Sequence, residues 1–138
     1  MILAGGKQGG TWLLNVEKYD IEGVLTAAPN LSYRRSGPGC IMYNEEVYVA
    51  GGYNAGSRLS DVEVFDLKTN VWRIISKMNN EREFPGIFVY DNQLTVFGGY
   101  GTDPRSIEVY NGISWENSKD TLTKDFYQGV LVGAKCPV

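Results

Sequence analysis

RSGPGCIMYNEEVYVAGGYNAGSRLSDVEVFDLKTNVW, residues Arg35 to Trp72, decides the fold of this 138-residue chain, because the rest of the sequence lies over it. Moving Gly51-Gly52 onto Gly98-Gly99 takes a shift of 47 residues, and moving them onto Gly5-Gly6 takes a shift of 46. At an offset of 47 Arg35 falls on Arg82, Gly39 on Gly86 and Val47-Tyr48-Val49 on Leu94-Thr95-Val96; at 45 Glu63 falls on Glu108 and Phe65 on Tyr110, and at 43 Trp72 falls on Trp115. The earliest copy joins with Glu17 and Tyr19. An ordered set of Arg, Gly, Gly-Gly, Glu, aromatic and Trp that recurs after 43 to 47 residues is an internal repeat, and a period of this length signals a solenoid, a propeller or an array.

Composition narrows the function classes. The length is that of one domain, with enough apolar and aromatic residues for a core. Net charge is −3 with both signs interspersed and no basic run longer than Arg34-Arg35, so no electrostatic footprint for nucleic acid is present. The longest apolar stretches are strand-sized and the N-terminus lacks a signal-peptide pattern, so the expectation is a cytoplasmic protein without a membrane helix. Cys40 and Cys136 show neither pair spacing nor a neighbouring histidine and read as reduced thiols. Cys136 is third from the end, which does not fit a prenylation box, and Asn30-Leu31-Ser32 reads as an accidental glycosylation sequon. With no histidine, the commonest general base and the commonest transition-metal ligand are both missing. Asp61, Asp66, Asp91 and Asp103 fall at turns or strand ends. No catalytic residues, metal ligands or cofactor are expected.

Taken in order, Met1 to Ala4 is a strand entered midway through a repeat, Lys7 to Thr11 a Gly-rich loop, and Leu13 to Tyr19 a second strand. Leu25 to Ala28 stands where later copies carry tryptophan, in a degraded form of the pattern. The second copy is expected to give strands near 39–43, 47–51, 61–66 and 71–76, and the third near 86–90, 94–98, 106–110 and 114–117. Tyr43-Asn44-Glu45-Glu46 and Tyr90-Asp91-Asn92-Gln93 read as hairpin turns. No stretch longer than ten residues keeps a helical apolar period free of Gly or Pro, so the class is all-β. Gly129 to Val132 lies on Gly86 to Val89 as the first strand of a further copy.

The repeated residues read as scaffold. Gly51, Gly52, Gly98 and Gly99 close the second strand of each unit, where a side chain would clash with adjacent backbone or forbid the dihedral needed. Trp72, Trp115, Phe65, Tyr110 and Tyr19 suit the space between one sheet and the next. Arg35 and Arg82 lie 18 and 19 residues after Glu17 and Glu63, which predicts Arg–Glu pairs tying the units together. In the last copy the arginine position falls on Asp125, beside Lys124.

These positions together resemble the kelch motif, carried by Gly51-Gly52, Phe65, Trp72 and Arg82, and again by Gly98-Gly99, Tyr110 and Trp115. The resemblance implies a β-propeller of four-stranded antiparallel blades, six in a typical ring, of which this chain has material for about three. It divides the sequence into a blade part (1–34), two blades (35–81 and 82–124) and a closing strand (125–138). It further implies the C-terminal half of a longer BTB-kelch polypeptide, with pairing of two copies into one six-bladed ring as the alternative source of the remaining blades. Kelch propellers that bind peptides use the loop after each Gly-Gly and the loop ahead of each first strand. On this sequence those places are Tyr53, Asn54, Arg58, Tyr100 and Thr102, with Tyr33, Arg34, Phe84, Phe126 and Tyr127 on the second set. The implied function is non-catalytic binding of a protein or peptide. Presentation of substrates to a cullin-RING ubiquitin ligase is the leading form, actin binding the alternative, and a sugar-active kelch-type enzyme fragment the more distant one.

Overall fold

A computed structural model describes residues 1–127, and every described element is a β-strand, bridge or turn. The first unit holds β1 (Ile2–Ala4), the short ribbon β2 (Lys7–Gln8) and β3 (Thr11–Trp12), then β4 (Val16–Tyr19) and β5 (Leu25–Ala28). The second holds β6 (Gly39–Tyr43), β7 (Glu46–Ala50), the ribbon β8 (Tyr53–Asn54) and β9 (Ser57–Arg58), β10 (Val62–Asp66) and β11 (Val71–Ile75). The third holds β12 (Arg82–Glu83), β13 (Gly86–Tyr90), β14 (Gln93–Phe97), β15 (Tyr100–Gly101), β16 (Ser106–Tyr110) and β17 (Trp115–Thr121). All pairings are antiparallel, in the orders β1-β4-β5, β6-β7-β10-β11 and β13-β14-β16-β17. The two four-stranded sheets are the blades of a propeller. By register β1 stands where β7 and β14 stand, so the first sheet lacks, among the described residues, the strand that β6 and β13 supply to theirs. The expected closing strand, Gly129 to Val132, lies outside the described residues.

Local chemistry explains the turns. Asn44 and Glu45 take φ of 50° and 62°, and Asp91 and Asn92 take 48° and 58°, the pair of left-handed residues that a two-residue hairpin needs to match strand twist. Two expectations are corrected. Lys7 to Thr11 is not a loop but most of the β2–β3 ribbon, Lys7 facing Trp12. The strand expected from Leu13 begins at Val16, because the Leu13 N–H donates to Gly6 O at 2.9 Å and Leu14 O accepts the Leu31 N–H at 3.0 Å, which commits both to other partners.

The core lies between the sheets. Tyr48, Ala50, Val62, Val64, Met78, Leu94, Val96 and Trp115 fill the space between the second and third, and Val16, Leu31, Val47, Val49 and Phe65 that between the first and second. Phe65 faces Trp72 across its sheet and Tyr110 faces Trp115. Each of these two tryptophans donates its indole N–H to the chain leaving the preceding sheet, Trp72 to Pro29 O at 2.7 Å and Trp115 to Ser76 O at 2.9 Å. The first sheet has Leu25 facing Tyr19 and no tryptophan, so this clip is absent there.

Candidate functional site

The site rests on a rigid inner frame. Arg35 is fully buried and donates to Gly51 O at 2.7 Å, Asp61 O at 3.1 Å and the Glu63 carboxylate at 2.7 Å. Arg82 repeats this toward Gly98 O at 2.7 Å, Ser106 O at 3.2 Å and Glu108 at 2.9 Å. Burial pulls the Arg35 pKa below its ordinary value, and the adjacent Glu63 acts in the opposite direction. The expected partners are therefore corrected: each arginine binds the glutamate that follows it in sequence, not the one before. The reason is the path of the chain. The carbonyl of Arg35 accepts the Gly6 N–H of the preceding unit at 2.7 Å, while its side chain runs forward into the next sheet.

The glycine pairs are set by the same contact. Gly51 has φ of +67°, and a Cβ there would run into the Arg82 carbonyl oxygen. Gly52, Gly6 and Gly99 each donate a backbone N–H at 2.7 Å, to Arg82 O, Arg35 O and Phe126 O. Gly98 faces Phe126 O, which a Cβ would approach to 2.5 Å. This repetition corrects a further expectation: the third arginine position is Phe126, not Asp125. Its ring packs 5.6 Å from that of Phe97, so the structure places Phe126 on the frame.

The remaining residues expected at the site form an outer surface on this frame. Tyr53 is tied to the second linker by paired backbone bonds with Ser36, at 2.8 and 3.0 Å, and faces Arg58 across the ribbon, with Asn54 facing Ser57. Phe84 has φ of 56°, donates its N–H to Gly37 O at 2.7 Å and lays its ring over Gly37, where any Cβ would collide with it. Tyr100 stands edge-on to Phe84 at 6.4 Å and stacks on Tyr127 at 4.1 Å with the rings 6° from parallel. The Tyr127 hydroxyl donates to Asp125 at 3.0 Å, which raises its pKa. Arg34 donates to Trp12 O at 2.9 Å. Thr102 donates to Glu81 at 2.5 Å, and Tyr33 is exposed with its N–H on Glu63 at 3.2 Å. Phe84, Tyr100 and Tyr127 are thus one cluster and Tyr53 with Arg34 another, joined along residues 36 and 37.

The sequence reading missed Trp12 and Lys7. Trp12 packs 5.9 Å from Tyr53, and the Lys7 ammonium sits 4.8 Å over the Trp12 ring. A usable signal was present: the 46-residue shift lays Lys7 on Tyr53 and Trp12 on Arg58, so a cation–aromatic pair recurs across the ribbon with its order reversed. The Trp12 indole N–H is buried with no partner among the described residues. Among the described residues no group of three His, Cys, Asp or Glu side chains is placed to hold a metal ion, and no helix is long and apolar enough to cross a membrane.

The family model for the kelch motif matches residues 34–79, which is the second unit almost from end to end. The third unit repeats its strand order, its buried arginine and its glycine pair. Residues 34–79 are a kelch motif. Its curated relatives include the influenza virus NS1A-binding protein homolog of Xenopus laevis, 40% identical over 52 residues, which are 38% of this chain and 8% of that protein. A putative F-box/kelch-repeat protein of Arabidopsis thaliana is 33% identical over 60 residues, 44% of this chain and 18% of that protein. A second F-box/kelch-repeat protein of the same plant is 38% identical over 55 residues, 39% of this chain and 14% of the relative. The matched stretch therefore spans less than a fifth of the length of any of the three. Kelch repeats imply a protein-interaction module, generally a non-catalytic one.

Proposed function

We propose that the chain binds a protein or peptide through the loop surface built from Trp12, Arg34, Tyr53, Arg58, Phe84, Tyr100 and Tyr127, without catalysis. The observation that carries this reading is the run of aromatic contacts from Trp12–Tyr53 to Phe84–Tyr100–Tyr127, flanked by the exposed Arg34 and Arg58. Aromatic and arginine side chains are the types that anchor interfaces, since they offer large contact area with few rotatable bonds or a planar donor fork. Variable loops on a fixed scaffold suit recognition. In its finer form the module is the substrate-recognition part of a cullin-RING ligase adaptor acting in the cytoplasm. Support for that form comes from the F-box/kelch names of two relatives, and support for protein binding from the name of the Xenopus relative.

The test is affinity capture with quantitative mass spectrometry, comparing the chain with its Tyr53→Ala/Tyr100→Ala variant. The variant is expected to keep its circular dichroism spectrum and to lose the captured partner. Equal recovery of every captured protein by both would remove this surface from consideration. Reading the coding sequence ahead of Met1 for a BTB segment tests the ligase form.

A further inference from the structure

The charges on the loop surface are sorted by sign. In a chain of net charge −3, the loops and linker of the first two units, residues 5–15, 29–38 and 51–60, contain no Asp or Glu and expose Lys7, Arg34 and Arg58. Arg35, in the same stretch, is buried on Glu63 and adds nothing to the surface. The three exposed cations converge on one residue. Lys7 lies over the Trp12 ring, Arg34 donates to Trp12 O, and Arg58 faces Tyr53, whose ring packs 5.9 Å from that of Trp12. None of the three enters an ion pair among the described residues.

Trp12 itself holds an unmet donor. Its indole N–H is buried without an acceptor among the described residues, whereas those of Trp72 and Trp115 are bonded to carbonyls. A buried N–H without an acceptor is costly, so a ligand that brings an oxygen to it gains affinity. The Lys7 ammonium is held there by the ring alone, a weak interaction at an exposed site, which leaves it free to turn to a carboxylate. The far end of the surface carries the other sign. Glu83 faces Tyr100 across the β12–β15 ladder, and Glu81 accepts the Thr102 hydroxyl. Arg82 between them is buried on Glu108, and Asp103 and Asp125 offset Arg105 and Lys124, so Glu81 and Glu83 are the excess.

We propose that the loop surface selects an extended peptide by its charge order: acidic residues over Lys7, Arg34 and Arg58 with one oxygen on the Trp12 indole N–H, and basic or uncharged residues beside Glu81 and Glu83. This rests on the binding reading given above and names the chemistry of its partner. Guanidinium groups take carboxylates through two parallel bonds, and complementary charge fixes the register of a ligand while like charge rejects the wrong one. A segment that is acidic throughout meets repulsion at Glu81 and Glu83. A nucleic acid strand, with a phosphate at every step, meets the same repulsion.

The experiment pans a displayed library of random peptides against the full chain, and the most enriched peptide is synthesised for NMR titration. Enriched peptides are expected to gather Asp and Glu in one half and to carry Lys, Arg or no charge in the other. The synthetic peptide is expected to shift the Trp12 indole N–H, identified as the resonance missing from Trp12→Phe. Its affinity is expected to fall about tenfold or more for Lys7→Glu/Arg58→Glu, the loss of charge-assisted bonds, with the circular dichroism spectrum kept. Enriched peptides that lack this charge order yet are lost with Tyr53→Ala/Tyr100→Ala overturn the charge rule and leave the binding surface in place. Peptides indifferent to both double variants, or a library without enrichment, overturn the two readings together. A single-stranded oligonucleotide that shifts the same indole resonance and binds more tightly than the peptide also overturns the proposal, because the cations then serve phosphates.

Discussion

Replacing Arg82 by alanine removes five hydrogen bonds at once, to Gly98 O, Ser106 O, the Ser106 hydroxyl and, through two nitrogens, Glu108. Glu108 stays fully buried and keeps three donors, the N–H groups of Asn79 and Asn80 and the Asn80 side-chain amide. Breaking one side of a buried pair costs about 3–5 kcal/mol because the remaining charge is left without its counter-ion. The surviving donors hold the cost near the lower end, about 3 kcal/mol. For a chain of this length that corresponds to a fall in Tm of about 10 °C. It also lowers the urea midpoint by about 2 M if m is about 1.5 kcal/mol/M. The assay is urea unfolding followed by tryptophan fluorescence, to which the buried Trp115 contributes from the same interface. A double-mutant cycle with Glu108→Gln separates the pair from the arginine's other contacts. A loss below about 1 kcal/mol, the range of exposed pairs, would refute the view that this arginine locks linker to blade.

Two smaller tests address the frame from other directions. Gly51→Ala is expected to cost about 3 kcal/mol or more, since a left-handed alanine is strained and its Cβ meets the Arg82 carbonyl. Gly9→Ala, at φ of +53° with no atom within 4 Å, is expected to cost only about 1 kcal/mol; equal urea midpoints for the two would contradict the close-approach account. Burial, then the bond from its hydroxyl to Glu46 at 2.9 Å, pushes the Tyr48 pKa from 10.0 up to about 12. A raised folded pKa means that the stability contribution is complete below pH 10.0 and is lost as pH rises toward about 12, so Tyr48→Phe is expected to flatten the alkaline arm of the stability profile. An unchanged alkaline arm in the Phe variant would assign that loss to other groups.

The strands were legible because alternating apolar residues with Asn or Asp at the bend specify both face and turn, and β6, β7, β13 and β14 fall within a residue of their expected limits. The arginine partners were not, because sequence spacing offers two glutamates to each arginine. One lies 18 or 19 residues back, the other 28 or 26 ahead, and only the direction in which the linker enters the next sheet chooses between them. Phe126 was expected at the binding loops, and its place at the third arginine position went unread for a related reason. Its place is fixed by its carbonyl on Gly99 and by Leu122 four residues earlier, and neither contact constrains the side chain that a motif comparison looks for. The last strand runs to Thr121 instead of ending near 117 because the register shifts between Ser106 and Glu108, and a bulge of that kind lets the longer strand continue.

The division between frame and recognition surface follows from one contact. Once the second glycine of each pair has donated its N–H to the carbonyl of the next linker, the residue after it is the first whose side chain the frame does not specify: Lys7, Tyr53 and Tyr100 occupy that place. In the first two units its cross-strand partner changes with it, Trp12 opposite Lys7 and Arg58 opposite Tyr53. A two-residue ladder is held by backbone bonds that are indifferent to side-chain identity, so nothing in the ribbon requires one cation and one aromatic residue at both places. A side-chain pair that contributes only tenths of a kcal/mol to its own ribbon yet keeps its chemistry in reversed order fits the proposed binding surface. That is the reason for placing the partner on this surface and not on the strands that carry the fold.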